Sequence, residues 1–85
     1  MPEIPESEIV ERLRGLVEER TDVDTTRFSA EASLEDLGID SFTLIEIVFA
    51  AEESFGISLK LENMSVRRVQ DVVNAIVQQL ATRRA

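Results

Sequence analysis

Asp40-Ser41-Phe42-Thr43-Leu44-Ile45-Glu46-Ile47-Val48-Phe49-Ala50-Ala51-Glu52-Glu53-Ser54-Phe55-Gly56 reads as one amphipathic helix with its stop signal attached. Spread at about 100° per residue, Leu44, Ile47, Val48, Ala51 and Phe55 fall in one sector and form a core stripe. Gly56 is the natural place for the helix to end, because a left-handed residue there closes the last turn. The spacing therefore predicts a helix over 41–55. Phe42 and Phe49 fall on nearly the opposite side, together with Glu46 and Glu53. Two readings of that aromatic pair stand. Either the preceding segment folds over it, or it is an exposed apolar pair ringed by acids, the makeup of a protein-docking helix.

Outward from this helix the chain reads as more helix. Residues 7–20 place Ile9, Leu13, Leu16 and Val17 on one stripe, with Ser7 as N-cap and an i,i+4 pair between Glu8 and Arg12. A third helix is expected over about 66–81, where Val66, Val69, Val72, Val73, Ile76, Val77 and Leu80 share a face. Their β-branching suits a strand, but the three-four spacing and the length favour a helix. Residues 21–40 form a long polar connection. Phe28, Leu34, Leu37 and Ile39 should pin it to the core, and Ser33 should cap a helical turn that Gly38 ends. Ile57, Leu59 and Leu61 alternate as in extended chain, and a short helix around Glu62–Ser65 is expected after them. The fold class is all-α: an up-and-down bundle of three long helices plus one short helix.

Composition removes whole classes of function. At 85 residues there is room for one small domain. Cysteine and histidine are both absent, which excludes a disulfide framework, thiolate chemistry, a serine–histidine triad and the usual zinc ligands. The formal net charge is −8, so a nucleic-acid partner is not expected and a basic protein partner is. Between Phe28 and Val66 lie Glu31, Glu35, Asp36, Asp40, Glu46, Glu52, Glu53 and Glu62 against the single base Lys60, a net −7. Asp22, Asp24 and Thr26 match the first ligands of a calcium loop. Arg27 and Ser33 then stand where Gly and Glu are required, and no metal site is expected. There is no apolar run long enough for a membrane span and no signal-peptide pattern, so a cytoplasmic protein is the expectation.

Leu34-Glu35-Asp36-Leu37-Gly38-Ile39-Asp40-Ser41-Phe42, running into Ile45-Glu46-Ile47 and Glu52-Glu53-Ser54-Phe55, closely resembles the acyl carrier proteins over essentially the whole chain. The resemblance implies a single carrier domain spanning 1–85 that is not an enzyme. Ser41 would take 4′-phosphopantetheine from coenzyme A through a separate phosphopantetheinyl transferase, and Asp40 would help that enzyme place the serine. The arm would carry acyl intermediates as thioesters to acyl-loading, synthase or acyltransferase enzymes of a fatty-acid, polyketide or specialised acyl pathway. Asp36, Glu46, Glu52 and Glu53 would meet basic residues on those partners, with Phe42 and Phe49 as the apolar centre, and the protein would act as a monomer. Ser41 at a helix start also suits this chemistry on physical grounds, since free N–H groups and the helix dipole favour a phosphodiester there. A serine in that place can equally be a plain N-cap.

The chain departs from the fatty-acid carriers at Phe42 and Thr43, where those relatives usually have Leu and an acid. It departs again at Lys60, Arg67 and Arg68, where they are typically acidic or polar. These departures imply a discrete, type II-like carrier for a dedicated route. Gly38-Ile39-Asp40-Ser41 also lacks the Gly-Gly of peptidyl carriers, which remain an alternative, as does a helical interaction module without a prosthetic group.

Overall fold

The computed structural model describes residues 4–60 and 65–84, with side chains through residue 82. Among the described residues three helices follow one another: α1 (Glu6–Arg20), α2 (Ser41–Phe55) and α3 (Val69–Arg84). Among the described residues there is no strand, only an isolated antiparallel bridge between Ser33 and Arg68. The fourth, short helix expected over Glu62–Ser65 lies outside the described residues except for Ser65, which is irregular chain.

Helix α1 packs against both α2 and α3. Its stripe of Ile9, Leu13 and Val17 is buried, and Leu16 packs half-buried beside it. The helix begins one residue earlier than expected, and Ser7 is not its cap. Pro5 holds that position with φ −62 and ψ 148, and its carbonyl accepts from the N–H groups of Glu8 at 3.0 Å and Ile9 at 3.1 Å. Glu6 and Glu8 then occupy the first turn, where the helix dipole favours acids. The expected Glu8–Arg12 pair does not form. Arg12 turns instead to the end of α2.

Helix α3 begins at Val69, not at Val66, because the amides at its start are taken by the Asp71 side chain and by the long loop. The N–H groups of Arg67 and Arg68 donate to Asp71 Oδ2 at 2.8 and 3.0 Å. Those of Val69 and Gln70 donate to the carbonyls of Ala32 at 3.1 Å and Ala30 at 2.8 Å. A helix start leaves four N–H groups without α-helical partners. Here Asp71 takes that of Arg68, the long loop takes those of Val69 and Gln70, and Asp71 N–H turns to the Arg68 carbonyl at 3.0 Å. Leu34 N–H returns the bond to the Arg67 carbonyl at 2.9 Å. The loop and the entry to α3 are thus clasped together.

That clasp explains why residues 21–40 are ordered without a helix of their own. Leu34 and Ile39 are buried in the core, and Phe28 and Leu37 pack against it, as their spacing predicted. Thr25, the buried polar residue of this loop, donates to Glu18 Oε2 at 2.6 Å. Asp24, read above against a calcium loop, instead closes a local turn by accepting from Thr26 N–H and Oγ1. After α2, residues 57–60 form no regular element, with Ile57 and Leu59 buried and Ser58 and Lys60 exposed, and Leu61 lies outside the described residues.

Candidate functional site

The approach to Ser41 is a single helical turn stopped by a glycine. Ser33 Oγ accepts from Asp36 N–H at 3.3 Å, and Leu37 N–H reaches the Ser33 carbonyl at 3.1 Å. Gly38 adopts φ +80, a conformation that side chains disfavour, and the chain turns there so that Ile39 enters the core. Asp40 follows in extended conformation and caps α2, its Oδ1 accepting from Thr43 N–H at 2.8 Å. The cap therefore belongs to Asp40 and not to Ser41. Ser41 becomes the first residue of the helix, exposed, and its hydroxyl has no hydrogen-bond partner among the described residues. Chiefly through the Thr43 backbone N–H, the Asp40 carboxyl is held below the usual carboxylate range, so it is ionised beside the serine at neutral pH.

Ser41 opens onto a cleft of about 500 Å³. Leu34, Ile39, Leu44 and Val66 supply its apolar lining, and Arg67 and Arg68 its positive charge. The Arg68 guanidinium donates to the Glu31 carbonyl at 3.3 Å. An exposed, unengaged hydroxyl at a helix start, next to a cleft lined by apolar residues, two arginines and the acids Glu35 and Asp40, fits a serine-linked phosphodiester with an organic arm.

The outer face of α2 is exposed. Phe42 is 70% and Phe49 65% accessible, so residues 21–40 do not cover them. Ile45 joins them at 48%, giving three large apolar side chains on one surface. Sequence reasoning missed Ile45, although the same angular plot that separates Phe42 and Phe49 from the core stripe places Ile45 near Phe49. The acids around the patch divide. Glu46 and Asp36 are exposed. Glu53 is exposed and lies 3.6 Å from Arg20. Glu52 is half-buried and turned inward, with its Oε2 accepting from Leu59 N–H at 2.7 Å. Its carboxylate fastens the segment after α2, a different role from the partner contact expected of it.

Among the described residues no helix is long and apolar enough to cross a membrane, and no group of three acidic residues is placed to hold a metal ion.

Comparison with known proteins bears on the same residues. A family model described as the phosphopantetheine attachment site matches residues 11–76. The chain is 36% identical over 78 residues to an acyl carrier protein of Thermosynechococcus vestitus, covering 89% of this chain and 96% of that one. It is 37% identical over 78 residues to acyl carrier protein 2 of Ralstonia nicotianae, with the same coverage. The crystal structure of an acyl carrier protein from Thermotoga maritima superimposes with a TM-score of 0.83 at 22% identity, over 91% of this chain and 92% of that one, which establishes the fold. The matched region contains all of α2 and the turn before it, and the relatives match over nearly their whole length. The chain therefore belongs to the acyl carrier protein family, carriers rather than enzymes, whose domain bears a covalently attached 4′-phosphopantetheine.

Proposed function

We propose that Ser41 is the attachment point of the arm and that the protein is a discrete, type II-like carrier for a dedicated acyl or polyketide route. The observation that carries this reading is the Ser41 hydroxyl, exposed and unengaged at the first residue of α2 because Asp40 supplies the cap. Asp40, fixed by Thr43 and ionised, presents a carboxylate next to that hydroxyl for the phosphopantetheinyl transferase to read. When bound, the arm supplies a terminal thiol on which acyl groups are held as thioesters. The chain's own part is to present the serine, orient α2 and offer a surface to the enzymes it visits.

That surface is the patch of Phe42, Ile45 and Phe49 with Glu46, Glu53 and Asp36 around it. An apolar centre with an acidic rim suits partner enzymes with basic docking faces, where the apolar residues give affinity and the acids steer the encounter. The departures at Phe42, Thr43, Lys60, Arg67 and Arg68 support a dedicated rather than a general fatty-acid route. Residues 1–85 act in this reading as one carrier domain, monomeric and cytoplasmic.

The test is intact mass after incubation with coenzyme A and a promiscuous phosphopantetheinyl transferase. One phosphopantetheine should be added per chain. Ser41→Ala should gain nothing while keeping its helical circular dichroism. Addition at Ser33, Ser54 or Ser58 instead would overturn the assignment.

A further inference from the structure

The cleft beside Ser41 is lined by a cation whose guanidinium has no hydrogen bond or ion pair among the described residues. Arg67 and Arg68 both line it, but they are engaged differently. The Arg68 guanidinium is tied to the Glu31 carbonyl at 3.3 Å and also borders a second cleft with Arg27 and Asp36. Arg67 is held only by its backbone. Its N–H donates to Asp71 at 2.8 Å and its carbonyl accepts from Leu34 at 2.9 Å. Among the described residues its guanidinium makes no hydrogen bond or ion pair. The base of the side chain is therefore anchored and its head is available.

The charges around Ser41 explain what that head is for. Glu35 and Asp40 line the same cleft, and Asp36 is exposed on the turn between them. A phosphodiester is anionic at every physiological pH, so attaching one to Ser41 adds a negative charge where three carboxylates already stand. Repulsion alone would push it away from the protein. A guanidinium offers a fork of donors that matches phosphate oxygens, and Arg67 is the lining cation with that fork open.

We infer that Arg67 pairs with the phosphodiester once Ser41 is loaded and seats the first part of the arm along the cleft between the turn at Leu34 and the entry to α3. This rests on Ser41 being the attachment point. The apolar floor of Leu34, Leu44 and Val66 lies beneath the seated arm, and the pair with Arg67 is weakened by salt because the cleft is open to solvent.

The test uses the full chain, wild type and the variants Arg67→Gln, Arg67→Lys and Arg68→Gln, each loaded enzymatically and verified by intact mass. The readout is the 31P resonance of the loaded protein, with the same loaded chain unfolded in urea as reference. Wild type should resonate away from the unfolded reference and move toward it as sodium chloride rises. Arg67→Gln should lie at the reference position and lose the salt response. Arg67→Lys should keep part of both. Arg68→Gln should keep both while melting at a lower temperature, through loss of its bond to the Glu31 carbonyl. A wild-type resonance coincident with the unfolded reference, or an Arg67→Gln resonance identical to wild type, overturns the inference and leaves the attachment site standing. Failure of wild type to gain mass at Ser41 overturns the attachment site, and this inference with it.

Discussion

The Arg12 guanidinium lies over the Phe55 ring, 4.4 Å from its centroid, and its Nη2 donates to Ser54 Oγ at 3.2 Å. Phe55 is thereby covered on one side by the core and on the other by a cation from α1. This contact prevails over the pairing with Glu8 because an exposed i,i+4 ion pair is worth only about 0.3–0.5 kcal/mol. A guanidinium over a ring gives at least about 0.5–1 kcal/mol before its hydrogen bond is counted. Arg12→Ala should therefore lower the unfolding free energy by about 1 kcal/mol. Glu8→Ala should change it by less than about 0.5 kcal/mol. Urea titration followed by circular dichroism measures both, since the chain has no Trp or Tyr.

Phe49 and Phe55 are opposites on one helix. Phe55 is 7% accessible and belongs to the core, so Phe55→Ala should cost about 3–5 kcal/mol. Phe49 is exposed, and Phe49→Ala should cost less than about 1 kcal/mol in the same titration. Its effect should appear instead as slower transfer with a cognate enzyme, where a central aromatic is worth about 2 kcal/mol or more. Equal unfolding costs for the two variants would remove Phe49 from the docking surface.

Two glycines should respond in opposite directions to alanine. Gly15 sits inside α1 with nothing within 4 Å of where a Cβ would stand, so Gly15→Ala should stabilise by about 0.5–1 kcal/mol through helix propensity. Gly38 also has open space around its Cβ position, but its φ is +80. Gly38→Ala should destabilise by about 1–2 kcal/mol from backbone conformation alone. Melting curves of the two single variants would show shifts of opposite sign.

Asp71 gives the fold a defined response to acid. Accepting the backbone N–H groups of Arg67 and then Arg68 holds its carboxyl below the usual range. A carboxyl lowered by folding stabilises fully above its unfolded pKa of about 4, and that contribution is lost as pH falls through the folded value. The melting-temperature gap between wild type and Asp71→Asn should therefore be constant above about pH 5 and close below about pH 4. A gap that widens on acidification would contradict the role of Asp71 at the start of α3.

The net charge of −8 should make the fold sensitive to ionic strength. Raising salt from about 10 mM to about 0.2 M shortens the screening length from about 30 Å to below 10 Å and relieves repulsion among the acids. The melting temperature should rise, and millimolar magnesium should produce the same rise at lower concentration. Circular dichroism melts in the two titrations check this, and a flat response would mean that the acids are too dispersed to interact.

What the sequence showed depended on whether the deciding partner was near in the chain. The bounds of α2 were legible, because Gly56 and the apolar stripe before it act within one helix, but its cap is Asp40 and not Ser41. The start of α1 was misplaced by one residue. Serine's preference for capping pointed to Ser7, while Pro5 fits the extended backbone of that position and leaves its carbonyl free to accept. The start of α3 was misplaced by three residues. Val66 continues the apolar stripe, but the first amides of the helix are claimed by Ala30, Ala32 and Asp71. Glu52 looked like a surface acid because its partner, Leu59 N–H, is presented only after the chain turns at Gly56. Arg67 and Arg68 stood out as departures from related carriers, yet nothing in the spacing placed them beside Ser41. That neighbourhood exists only once the loop meets α3.

The bonds joining residues 30–34 to 67–70 also tie together parts of the chain far apart in sequence. They close a chain segment that contains all of α2, and closing so long a segment carries a large entropy cost before its contacts compensate. The cleft beside Ser41 exists only where that clasp is closed, whereas the Asp40 cap on α2 is local to its own helix.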